Sequence, residues 1–164
     1  TVAAAMAPYI GRFARGLCVT LFTVEEWALQ GSGDYVDGLS ETERSAIKLN
    51  LNLDSIAGSP NLTALTSEFP KLEEWLLTHV QTHGYTLGTH RPIMANSDHY
   101  NFARHGIPAV RLVAGFDEPE SEIKYVLTPG DMRDKVAARD LRYAAGLTAA
   151  LVTGACQAGE LELR

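Results

Sequence analysis

Apolar and polar positions change their spacing along this chain, and each change predicts an element. Residues 2–15 carry bulky apolar side chains at Val2, Met6, Tyr9, Ile10 and Phe13, a helical spacing that Pro8 kinks or delays and Gly16 closes. Residues 17–24 (LCVTLFTV) form a short, nearly continuous apolar run, the pattern of a strand covered on both faces. Polar, helical spacing then covers 25–36, loosened by Gly31-Ser32-Gly33, and Ser40-Glu-Thr-Glu predicts a capping box opening a short helix. Residues 49–56 alternate as a second strand, and 62–67 as a third beyond the Gly58-Ser-Pro turn. Pro70 starts a helix over 70–83 with Leu72, Trp75, Leu76 and Val80 on one face. Residues 84–96 are irregular, and Ser97-Asp98 caps a short helix running to Arg104, closed by His105-Gly106. A fourth strand covers 109–114 and an acidic loop 117–125. A closing helix over 133–155 carries a core stripe of Val136, Leu141, Ala144, Leu147, Ala150 and Leu151.

Alternating strands and helices predict an α/β fold, a mixed and largely parallel sheet sandwiched between helices. The chain has 164 residues, enough for about one domain, and 46% of them are hydrophobic, which permits a real core. No apolar run approaches the ~20 residues of a membrane helix. The net charge of −6, with neither half basic, argues against a nucleic-acid or anionic-membrane partner. Cys18 and Cys156 are too few for a disulfide scaffold; they read as small core residues, with one long-range bridge left open. The compartment is left open as well.

Three groups of residues carry candidate chemistry. Glu25 and Glu26 sit side by side where the apolar run 17–24 ends, and ligands of open α/β sheets gather at such strand ends. One carboxylate of such a pair can bind a metal while the other takes a proton, although two acids in the first turn of a helix are also ordinary. Asp54 lies inside an otherwise apolar strand, where an ionised carboxylate needs a partner or a metal, unless it sits at the strand's exposed end ahead of the Gly58 turn. Asn96-Ser97-Asp98-His99-Tyr100 sets an Asp beside a His near a helix start, a carboxylate–imidazole pair or a cap beside a surface His. His79, His83, His90 and His105 read as surface or structural residues. Ser32 lacks the strand–nucleophile–helix context of a hydrolase elbow.

Taken in order, these segments resemble the co-catalytic zinc exopeptidase family, which includes bacterial leucyl aminopeptidases, glutamate carboxypeptidase and glutaminyl cyclase. The similarity runs through Phe22-Thr-Val-Glu25-Glu26-Trp-Ala-Leu-Gln-Gly31-Ser32, Leu-Asn-Leu-Asp54, Ser97-Asp98-His99-Tyr-Asn-Phe102, Gly106-Ile107-Pro108 and Thr128-Pro-Gly-Asp131. The resemblance implies that Glu25 is the general base and that Glu26 and Asp54 are zinc ligands, one on each of two metals. It further implies that Ser97, Asp98 and His99 support the site. The family's last ligand, a His directly before Thr-x-x-Asp, is Leu127 here, with Tyr125 two residues earlier. Its first His and its bridging Asp would lie upstream of Thr1.

The expectation is therefore the C-terminal portion of a single zinc-peptidase-like catalytic domain spanning 1–164, incomplete at its N-terminus and completed by an upstream part of the same domain. The expected activity is an aminopeptidase-like hydrolase that binds one or two zinc ions and acts on a peptide or amino-acyl substrate. The alternative is a metal-impaired member of the same fold that acts as a binding protein, which Leu127 favours. A third reading makes Thr1 an N-terminal nucleophile.

Overall fold

The computed structural model describes residues 14–164. The helix expected over 2–15 and the reading of Thr1 fall on residues outside that range, apart from the last two of the helix. The regular elements run α1 (Gln30–Gly38), α2 (Glu41–Ala46), β1 (Asn50–Leu53), β2 (Leu62–Leu65), α3 (Pro70–Thr82), β3 (Gly88–His90), α4 (His99–Ala103), β4 (Ala109–Ala114) and α5 (Ala138–Gln157). Short 3-10 turns at Glu122–Tyr125 and Arg133–Lys135 precede α5.

The four strands form one sheet in the order β1-β4-β2-β3. β1 pairs with β4 and β2 with β3 in parallel, whereas β2 and β4 run antiparallel. Helices cover both faces, as expected for a mixed α/β fold. On one face Val110, Leu112, Ala114, Leu62 and Ala64 pack against Leu72, Leu76 and Val80 of α3 and Ala144, Leu147 and Leu151 of α5. On the other, Ala109 and Ile107 meet Val36 of α1 and Phe102 and Ala103 of α4. Removing these side chains from water is the main force holding the layers together.

Local signals act where they were expected. Ser40 and Glu43 close both halves of the capping box at the start of α2, and Pro70 occupies the first turn of α3. α1 runs straight through Gly31-Ser32-Gly33, because Ser32 is fully buried and hydrogen-bonded there.

Four expectations are corrected. Residues 17–24 are irregular: among the described residues they join no ladder, and Val19 and Leu21 are exposed. β propensity supplies a preference, but a strand needs a neighbour whose backbone completes the hydrogen bonds. A cavity of about 580 Å³, lined by Arg15, Leu17 and Cys18 on one side and Leu49, Asn50 and Leu51 on the other, separates this segment from the β1 edge. Cys18 is consequently exposed instead of core, while Cys156 is buried; both are free thiols. Residues 84–96 hold the short strand β3, and the closing helix begins at Ala138 instead of 133.

Candidate functional site

β1 builds the site from its pleat. Alternate residues of a strand share a face, so Asn50 and Asn52 lie on one side of β1, and Asp54 follows directly after its last residue. Asn52 lies beside Arg111 of β4 in the parallel register, and Arg111 reaches along the sheet to Asp54, Nη2 to Oδ2 at 3.1 Å. Ser97 Oγ donates to the same Oδ2 at 2.7 Å and accepts from Asn52 Nδ2 at 2.7 Å. Ser55 Oγ donates to the other oxygen, Oδ1, at 3.1 Å. Arg111 Nη1 donates to the Asn96 carbonyl at 2.8 Å, and its Nε is buried without a partner.

Ser97 therefore does not cap α4 with its side chain, and neither does Asp98, which occupies the N-cap position. Asp98 is buried and its Oδ1 has no hydrogen-bond partner. His99 is fully buried, and neither ring nitrogen makes a hydrogen bond of normal geometry. Burial, reinforced by the Arg111 charge, pushes His99 down to about 4, against weaker pulls from the Ser97 backbone and Asp54. It is a neutral imidazole near neutral pH.

Glu25 and Glu26 sit in a turn that α1 anchors. Leu29 N–H donates to the Glu25 carbonyl at 2.9 Å, and Trp27 N–H to that of Val24 at 3.2 Å. Val24, Ala28 and Leu29 all adopt left-handed backbone, with φ of 58–59°. This is costly for any residue with a Cβ and most of all for a β-branched one. A methyl group on Gly31 would strike the Thr23 carbonyl oxygen, so only glycine lets the turn close this tightly against α1. Ser55, directly after Asp54, and Leu127 are left-handed too, at φ 58° and 60°. Strain held at such points is a recognised mark of functional sites.

Electrostatics bring these segments into one field. The Glu25 carboxyl is raised, first by burial and then by Asp54, Glu26 and Asp98, and Arg111 opposes the shift. Arg111 pairs with Asp54 and Ser97 bonds to that carboxylate, while Asp54, Asp98 and Arg111 act on Glu25 through their charges and Glu26 as its sequence neighbour. Tyr125 is not brought into contact with them: its ring faces Lys135 and Lys124, and its carbonyl accepts from Thr128. Leu127 is 76% exposed.

Arg111, Asn52 and Asn101 escaped the sequence reading. Arg111 had the same signal that singled out Asp54, a charge inside an apolar strand (AVRLVA). Asn101 buries its amide between α4 and α1, donating to Ser32 Oγ at 2.8 Å and to the Leu29 carbonyl at 2.9 Å. Ser32 is a packing residue held in this way, since its hydroxyl also donates to the Leu29 carbonyl.

The donors suit a hard or borderline cation in chemistry and in charge. Four carboxylates share one field, and Asp98 keeps a buried oxygen unpaired. Among the described residues, however, no three His, Cys, Asp or Glu side chains converge on one point.

The fold resembles solved peptidases. The zinc aminopeptidase BSAP from Bacillus subtilis is 28% identical and superposes with a TM-score of 0.74 over 85% of this chain and 36% of its own. The aminopeptidase from Aneurinibacillus sp. strain AM-1 is 26% identical, with a TM-score of 0.69 over 87% of this chain and 34% of its own. LapB from Legionella pneumophila, 21% identical, shares the fold with a TM-score of 0.77 over 94% and 43%. This chain thus spans about a third to two-fifths of the length of these structures. No curated protein matches it. The profile described as Peptidase family M28 matches residues 1–152, nearly the whole sequence, and the chain belongs to that family.

Proposed function

We propose that the protein hydrolyses the amide bond next to a free amino terminus, as a metal-dependent aminopeptidase, with Glu25 as general base. The observation that carries this reading is the Glu25 carboxyl itself: raised by burial and by three carboxylate neighbours, it sits in the segment that matches the family's Glu-Glu. A carboxylate with raised proton affinity is a better acceptor from an attacking water, and its conjugate acid can then protonate the leaving amine. The tight turn between Val24 and Gly31 orients it, and the bond between Asn101 and Ser32 fixes that turn against α4.

Glu26 and Asp54 are the side chains that would hold zinc, one or two ions in all, with further donors from an upstream part of the same domain. Zinc supplies positive charge that makes water a nucleophile at neutral pH and polarises a carbonyl. Ser97 and Asn52 hold the Asp54 carboxylate in place, and His99 and Asp98 form the buried floor beside it.

The test is hydrolysis of aminoacyl nitroanilides by the full-length protein. Activity is expected to disappear on chelation and return with zinc, and Glu25→Gln is expected to lower kcat by about 10²–10⁴-fold with the circular dichroism spectrum unchanged. Activity that survives chelation, or a Glu25→Gln variant as fast as wild type, would sink this reading. A full-length protein that retains zinc yet hydrolyses no aminoacyl amide would be a binding member of the fold.

A further inference from the structure

We infer that Arg111 is the resident counter-ion of Asp54 and that a metal reaches this carboxylate only by displacing its guanidinium. The inference rests on the reading above that Asp54 is a metal-binding side chain.

Three observations carry it. The first is occupancy of the oxygens. A carboxylate offers about four lone-pair positions; Ser97 donates to Oδ2 and Ser55 to Oδ1 of Asp54, and the Arg111 guanidinium lies within ion-pair distance of Oδ2 at 3.1 Å. A metal at Oδ2 meets both the Ser97 hydroxyl and the guanidinium, and a metal at Oδ1 sits beside a fixed positive charge.

The second is how firmly Arg111 is held. Its side chain is 12% exposed. One amino group is anchored to the Asn96 carbonyl at 2.8 Å, and its Cα lies in register between Asn52 and Leu65 in the middle of the sheet. A guanidinium is not neutralised by burial, because its proton affinity is too high. It therefore remains a cation wherever the fold puts it.

The third is the pairing of charges. Arg111 Nη2 and Asp54 Oδ2, 3.1 Å apart, pair a fixed cation with a carboxylate that is about one-third exposed. Arg111 thus does from within the chain part of what a bound cation does for this carboxylate.

The experiment is zinc titration of the metal-stripped full-length protein by calorimetry, in wild type, Arg111→Met, Arg111→Lys and the pair Arg111→Met with Asp54→Asn. Expected is at least a tenfold tighter zinc site in Arg111→Met, or one extra zinc equivalent. Arg111→Lys, which keeps the charge, should remain near wild type. The double variant should lose the gain, which ties it to Asp54 instead of a general loosening. Equal or weaker zinc binding by Arg111→Met at wild-type secondary structure would overturn the inference while leaving the metal-dependent reading intact. Zinc binding by none of the four proteins overturns both. Should Arg111→Met not fold, Arg111→Gln, which removes the charge and keeps hydrogen-bonding capacity toward the Asn96 carbonyl, takes its place with the same expected gain, and equal or weaker zinc binding by it overturns the inference.

Discussion

Asn101 on α4 donates a 2.8 Å hydrogen bond to Ser32 on α1, both side chains buried, and with its bond to the Leu29 carbonyl this ties the turn bearing Glu25 and Glu26 to the helix that begins at His99. The Asn101 Oδ1 in turn accepts from Arg104 Nε at 2.9 Å, so the amide is satisfied at both ends. Replacing Asn101 by Ala removes two hydrogen bonds, while Ser32 still donates to the Leu29 carbonyl and Gly33 N–H does too. Each hydrogen bond lost costs about 0.5–1.5 kcal/mol. Urea unfolding is expected to show a loss of this size for Asn101→Ala. A cycle with Ser32→Ala should give a coupling well above zero, and additive losses would mean the two side chains do not act together.

Gly31→Ala tests the tight turn. The added methyl meets the Thr23 carbonyl oxygen, which is backbone and cannot rotate away. The turn carrying Glu25 must shift while the core elements β4, α3 and α5, which lie elsewhere, stay intact. The variant is expected to keep its helical circular dichroism and lose at least about tenfold in kcat, since small displacements of a catalytic group are costly. Wild-type kcat in a folded Gly31→Ala protein would show that the turn does not position Glu25.

His99 predicts a pH dependence of stability. Its folded value of about 4 lies below the unfolded value of 6.5, so the unfolded chain binds the additional proton. Stability from the buried neutral ring is fully present above the unfolded value and is lost as pH falls from there through the folded value. The shift corresponds to about 3 kcal/mol across that window. In urea titrations of metal-free protein, wild type should lose more stability on acidification than His99→Gln does. The carboxylates common to both cancel in the comparison. Parallel pH profiles for the two proteins would place the ring in water.

Leu127 stands where the resemblance expects a histidine, in left-handed backbone and largely exposed. A histidine tolerates that backbone better than leucine does, and no buried contact is sacrificed. Leu127→His is expected to leave stability within about 0.5 kcal/mol of wild type and, by adding an imidazole donor, to tighten zinc binding by about tenfold or more. Unchanged zinc affinity in a folded variant would show that residue 127 does not face the metal-binding side chains.

Much of the secondary structure was legible because its causes are local. The capping box of Ser40 and Glu43 involves neighbours in sequence, and the Pro70 start of α3 and the apolar run of β4 need no distant partner to be recognised. The segment 17–24 had an equally good local pattern and is irregular, because pairing is a property of two strands and its side of β1 carries no ladder among the described residues. The short β3 was missed for the converse reason. Gly88, Thr89 and His90 have little strand character and are extended because β2 offers them a parallel edge.

The site divides along the same line. Sequence by itself determined the family and singled out candidates for the chemistry: the adjacent acids Glu25 and Glu26, the acid Asp54 inside an otherwise apolar stretch, and the Ser97-Asp98-His99 run. Only the tertiary structure decided what those groups meet. The parallel β1–β4 pairing sets Arg111 beside Asn52 and so delivers it to Asp54, Ser97 turns from its own helix to the same carboxylate, and Tyr125 stays apart with its lysines. The physical reason is range. Helix spacing, caps and turns are fixed by neighbours a few residues apart, whereas burial, proton affinity and counter-ions depend on which distant segments the closed core brings within a few ångströms.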